Sequence, residues 1–289
     1  MRGTSPSDMA KVITKSLNYS NLTEQDLLAN NGEIVSWAID KGTFHELPKA
    51  AITAKVLLQK AIRGPQKGCS LLQIIALVNT NTTPSKVPPL KHIPKEVFTH
   101  ELLSTKEDSG ETVYHMLAHS HVLGCIPKEL ITKDSLLLTT DEGRTVLHSV
   151  AINNPELIPK EITLKEMLMK DKNNFTPLHG YACSNKWADI PKIFLTKESV
   201  EIKDREGNTP TDYMLEEFGF DAAYRDKKSD PKRISQIKHI LSLISPDFLK
   251  TLVKRKGIEN LDLLKLIKQE ELKRNLHSKL SEKEQSIEI

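Results

Sequence analysis

Little in this chain can stack on a ring, cross-link or enter a bilayer. Only 5% of its 289 residues are aromatic, and 38% are hydrophobic against 27% charged. That is thin material for one thick globular core, but it suits units that each bury a slab against a neighbour. No run approaches the ~18 consecutive apolar residues of a membrane span. The opening "MRGTSPSDMAKVITKSL" lacks the uninterrupted apolar stretch of a secretory signal. The three cysteines, Cys69, Cys125 and Cys183, are odd in number and widely scattered. This argues against a disulfide framework and for a reducing, cytoplasmic location. The Asn-x-Ser/Thr triplets at Asn18, Asn21, Asn81 and Asn174 are then not expected to carry glycans. No G-x-S-x-G, Walker-type glycine loop, H-E-x-x-H or deaminase-type H-x-E…C-x-x-C pattern occurs. We therefore expect no enzyme, no catalytic residue, no cofactor and no metal.

What the chain does have is repetition. "GETVYH" from Gly110, "GRTVLH" from Gly143, "NFTPLH" from Asn174 and "GNTPTD" from Gly207 place threonines 33, 31 and 33 residues apart. A second marker, Ile-Pro-Lys with Glu following in all but the last copy, starts at Ile93, Ile126, Ile158 and Ile190, spaced 33, 32 and 32. Two independent markers keeping one period define a repeat. Upstream, 22–39 followed by Leu47-Pro-Lys fits a further unit, and 67–79 another, its return delayed by the insertion "TNTTPSKVPP". We count about six units over 22–219, the first two degenerate. Residues 1–21 precede them as an N-terminal helical or capping segment, and 220–289 follow.

A period near 33 carrying G-x-T-P-L-H-x-x-A resembles the ankyrin repeat, most clearly at Thr176-Pro-Leu-His179-Gly-Tyr-Ala182 and Gly207-Asn-Thr-Pro210. The resemblance implies an all-α, ankyrin-like helical solenoid with a C-terminal helical extension, although other helix-pair solenoids remain open. The positions make physical sense. In Asp204-Arg-Glu-Gly207 and Asp141-Glu-Gly143 a glycine accepts positive φ at a turn. The following threonine is a predicted N-cap, Pro177 and Pro210 sit just inside the helix, and the histidine can bond back to the turn. Ala118, Ala151 and Ala182 are small so that neighbouring helices can approach.

The second half of each unit departs from the family. Pro94, Pro127, Pro159 and Pro191 fall where a long second helix should run, and an interior proline costs about 3 kcal/mol. The sequence predicts a helix broken in two: a short turn with proline at its first position, then a fresh start capped by Thr99, Thr132, Thr163 or Thr196. The pairs Leu102/Leu103, Leu137/Leu138 and Met167/Leu168 are expected to face the adjacent unit. After Gly219 the period stops. Three helices are predicted, one from Pro231 with apolar positions 234, 237, 241 and 244, one from Ser245-Pro246 to Gly257, and one from about 259 onward.

Net charge is +3, unevenly spread: residues 225–289 hold sixteen Lys/Arg against ten Asp/Glu, and the rest 25 against 28. His115, His148 and His179 occupy equivalent positions on rungs roughly 8–10 Å apart. Zinc ligands must each reach the ion at about 2.0–2.1 Å, so a structural role is expected. Trp37 and Trp187 read as packing residues, with Trp187 in a loop that could be exposed. Function is expected where packing does not fix the residue, at the turn tips lining a concave face. The residues that vary there are Glu107, Ser109, Glu111, Glu142, Arg144, Asn173, Phe175, Arg205 and Asn208. A mixed-charge strip with one phenylalanine suits a protein partner, and the chain reads as a non-enzymatic protein-binding scaffold within a larger complex, without membrane. A second reading makes it a nucleic-acid-binding accessory protein acting through basic residues of 225–289, such as Lys254-Arg-Lys256. A third is a bacterial effector or toxin-associated regulator.

Overall fold

The computed structural model describes residues 19–61, 68–78, 89–107, 110–184, 186–224, 231–249, 251 and 261–285. Among them the protein is all-α, with only isolated bridges, Lys60 with Ser70 and Lys106 with Thr112, in place of strands. None of the described helices is long and apolar enough to cross a membrane. The chain forms two compact units, 1–141 and 142–289. Most of segment 1–21, the 79–88 stretch of the insertion and the Lys254-Arg-Lys256 cluster with Gly257 lie outside the described residues.

Within each compact unit the two predicted half-repeats recur. The first half starts at a threonine in extended conformation, Thr112, Thr145 or Thr176, followed by the helices Val113–His119, Val146–Asn153 and Pro177–Ala182. In the second unit Val146–Asn153 packs on Pro177–Ala182, which packs on Pro210–Tyr224. In the first, Glu33–Lys41 packs on Leu71–Val78, which packs on Val113–His119. Ala118, Ala151 and Ala182 are fully buried, as close approach requires. At Gly180 there is no room for a side chain, since a Cβ would lie 2.8 Å from Ile152 Cγ1 and 3.0 Å from the His148 carbonyl oxygen.

The second half is broken at its proline. Pro94, Pro127 and Pro191, with ψ of 136°, 131° and 134°, precede the 3-10 turns Lys95–Val97, Lys128–Leu130 and Lys192–Phe194. The proline is therefore the residue before the turn and not its first member, because its extended ψ leads the chain in rather than round. The threonine caps follow as expected. Thr99 Oγ1 accepts from Leu102 N–H at 3.1 Å, Thr132 Oγ1 from Ser135 N–H at 3.2 Å and Thr196 Oγ1 from Ser199 N–H at 3.2 Å. At Thr163 both N–H and Oγ1–H donate to Glu166, at 2.8 and 2.6 Å. The same grammar stands upstream: Pro48, the turn Lys49–Ala51, then Thr53 capping Ala54–Leu57.

These four- and five-residue helices have a fixed burial register. The third and fourth residues after the threonine are buried in every copy: Val56/Leu57, Leu102/Leu103, Ser135/Leu136, Glu166/Met167 and Ser199/Val200. Leu137, Leu138 and Leu168, expected to face a neighbour, are only half-buried. The cap sets the helical phase, so counting from Thr132 and not from the leucine run gives the inward face.

Past the repeats, Pro210–Tyr224 continues five residues beyond Gly219. Pro231–Leu243 then packs against Lys197–Glu201 and Pro210–Tyr224, burying Ile237, Ile240 and Leu241, with Ile244 buried just beyond. Gln236 Nε2 donates to the Ile190 carbonyl at 3.0 Å. The 25-residue helix Leu261–Gln285 lies against Pro231–Leu243. Trp187 is fully buried, with the Arg233 guanidinium 5.6 Å from its ring centroid. It is a packing residue and not an exposed loop side chain.

Candidate docking groove at the turn tips

In the second unit three consecutive turns are held side by side. Asp171 Oδ1 accepts the N–H groups of Asn173 at 2.8 Å and Phe175 at 3.0 Å, while Asp171 N–H donates to the Phe175 carbonyl at 2.9 Å. Asp204 repeats this with Asn208, its Oδ1 accepting from Asn208 N–H at 2.8 Å and its N–H donating to the Asn208 carbonyl at 2.9 Å. The sharp bend falls on Gly143 (φ 73°), Asn174 (φ 56°) and Gly207 (φ 81°), and asparagine is the side chain that best tolerates this region after glycine. Adjacent turns are then tied through the backbone: Lys172 N–H to the Glu142 carbonyl at 3.0 Å, and Arg205 N–H to the Asn173 carbonyl at 2.7 Å.

Histidines fasten the helices beneath. His148 Nδ1 accepts from Thr145 N–H at 3.0 Å, and His179 Nδ1 from Thr176 N–H at 3.1 Å. A nitrogen that accepts a backbone N–H carries no proton, so each ring holds its hydrogen on Nε2. That N–H donates forward, from His148 to the Phe175 carbonyl at 3.1 Å and from His179 to the Ile202 carbonyl at 3.2 Å. In the first unit His115 Nδ1 makes the same contact with Thr112 N–H at 3.2 Å. Burial is the chief reason that His148 titrates far below the ordinary imidazole, at about 4, and that His179 is also lowered. Both ring nitrogens of His148 and His179 are thus engaged in the scaffold.

Above this framework a groove of about 380 Å³ opens, lined by Arg144, Asn173, Phe175 and Arg205 together with Ile152, Asp171, Glu206 and Tyr213. Its floor is aromatic: Phe175 lies 5.2 Å from His179 and 6.1 Å from Tyr213, ring centre to ring centre. Tyr213 O–H donates to Asp204 Oδ2 at 2.8 Å, and burial followed by that contact raises its phenol well above the ordinary range. Arg205 reaches Asn173 Oδ1 only loosely, at 3.4 Å. Among the described residues no group of three His, Cys, Asp or Glu side chains could hold a metal.

Four of the nine residues expected at the docking strip therefore meet in one groove. Glu142 stands beside it, exposed and paired with Lys172 at 3.0 Å. Asn208 is half-buried and does not line the groove, its backbone being used by the turn. Glu107 and Glu111 belong to the first unit. Glu111 is exposed, whereas Glu107 is only 18% exposed and lies 3.7 Å from Lys60, less open than expected. Ser109 lies outside the described residues. Sequence reasoning missed Tyr213, Ile152, Asp171 and Glu206. Tyr213 had a signal, since it follows the capping position where the other units carry Met116, Ser149 and Gly180.

Comparison with protein families and with curated proteins finds no match to this chain.

Proposed function

We propose that the chain is a non-enzymatic protein-binding scaffold, an ankyrin-like helical solenoid that docks a protein through the turn-tip groove of its second unit, as a subunit of a larger complex. The observation that carries this reading is the groove itself. Its rigid parts, the backbone ties and the Asp171, Asp204 and histidine contacts, serve the fold, while Arg144, Phe175 and Arg205 project from them at repeat positions that the fold leaves variable. Such a rim over an aromatic floor offers an apolar anchor point ringed by charge, the usual anatomy of a protein interface.

The test is co-purification from the native host of the wild type and of the double variant Arg144→Glu, Arg205→Glu. A stoichiometric protein partner is expected with the first, falling at least about tenfold with the second, at an unchanged melting temperature. Equal recovery of the partner by both would overturn the assignment to this groove.

A further inference from the structure

One side of the C-terminal helix Leu261–Gln285 is held to the body. Ile267 is buried, Arg274 donates to the Leu241 carbonyl, and Glu270 accepts from Arg274 at 3.3 Å. At 3.6 residues per turn, positions 267, 270 and 274 share that side, and Leu272, Leu276 and Leu280 fall roughly opposite, within an arc of about 80°. These leucines are 70%, 61% and 52% exposed, and they make up half of the large hydrophobic side chains exposed among the described residues. A contiguous apolar ridge, unlike a scattered exposed leucine, calls for a covering surface.

Between 264 and 281 the charges around it are of one sign. Lys265, Lys268, Lys273 and Lys279 all lie within about 80° of Leu276 on the helical wheel, and all four are exposed. Between 264 and 281 the only acidic residues are Glu270 and Glu271, which sit towards the far side. Lys273 pairs with Glu270 at 3.9 Å and still stands 62% exposed.

We propose that this ridge is the docking site of an amphipathic helix flanked by acidic residues, contributed by a protein partner and distinct from the groove in the turns. Leucines at successive fourth positions form an i±4n ridge, which accepts a second helix crossing at about −50°. A second copy is the wrong occupant, because a two-fold pairing about Leu276 sets Lys273 against Lys279 of the other chain. A phospholipid surface fits less well, since the apolar arc is narrower than the face of an in-plane helix and carries no aromatic anchor.

The experiment uses the full chain and a fluorescently labelled amphipathic helical peptide with leucines on one face and glutamates beside them. Its twin has lysine for every glutamate. Binding is compared with the triple variant Leu272→Ser, Leu276→Ser, Leu280→Ser, which should melt with the wild type because the leucines are exposed. The glutamate peptide is expected to bind at least about tenfold more tightly than its twin, to weaken with added salt and to be lost with the triple variant. Failure to bind, equal binding of both peptides, or binding that survives in the triple variant overturns the proposal. So does either alternative occupant: recruitment to vesicles of phosphatidylserine and phosphatidylcholine, or a sedimenting dimer, in each case abolished by the triple variant.

Discussion

His148 is buried, hydrogen-bonded at both ring nitrogens and neutral. Its folded-state proton affinity, at about 4, lies below the ordinary imidazole value, so the unfolded chain takes up a proton that the folded chain refuses. The stabilisation is complete above about pH 6.5 and is lost as pH falls towards 4, amounting to about 3 kcal/mol for this residue. His179 acts in the same direction. Urea denaturation at pH 7.5 and pH 5 should show the midpoint dropping in acid. The drop should shrink in His148→Gln, which is itself less stable at the higher pH by about 2 kcal/mol. These histidines, the threonine caps and the turn glycines were all legible in the sequence. Each is a short-range device whose partner lies within three or four positions, and the repeat displays it several times over. The forward bond from Nε2 was not legible, because Phe175 lies 27 residues from His148 and only the stacking of turns brings it near.

At the scale of elements, the proline-broken second half is where the sequence could be read for existence but not for phase. A run such as Leu136-Leu137-Leu138 offers three equivalent candidates for the inward face, and only the cap at Thr132 decides among them. Leu136→Ala should therefore destabilise by about 3 kcal/mol, as a filled core position does. Leu137→Ala, at a half-buried position, should cost less than about 1.5 kcal/mol. Thermal denaturation of the pair checks the register directly, and equal losses would show that the phase is set otherwise. Helix Pro231–Leu243 was legible from its spacing, and Leu261–Gln285 as the predicted last helix, while most of the helix predicted from Ser245-Pro246 to Gly257 lies outside the described residues. The outward leucine ridge was not singled out, because a single apolar stripe looks the same in sequence whether the body covers it or leaves it bare.

At the scale of the whole molecule, no covalent staple is found among the described residues. Cys69, Cys125 and Cys183 are free and half-buried. Burial, helped by Glu217, Glu216 and Asp204, pushes the Cys183 thiol up to about 12, so almost none of it is thiolate at neutral pH. The melting temperature should be the same with and without a reductant. In the native protein at pH 7.5, iodoacetamide should leave Cys183 unmodified while the denatured chain reacts, a contrast that peptide mass spectrometry reads. The groove was half legible at this scale: Arg144, Asn173, Phe175 and Arg205 could be nominated from variation between units, but which of the nine nominees converge depended on the fold.

The fourth copy of the cap differs from the others in one letter. Asp212 satisfies Thr209 as the histidines satisfy their threonines, accepting from its N–H and its hydroxyl at 2.8 Å each. A carboxylate has no hydrogen to pass on, and its buried Oδ1 meets no donor among the described residues. His148 and His179 each extend a hand to the turn ahead, whereas Asp212 makes no such demand on a successor. The array thus carries a direction, and a full stop, written in the chemistry of a single side chain.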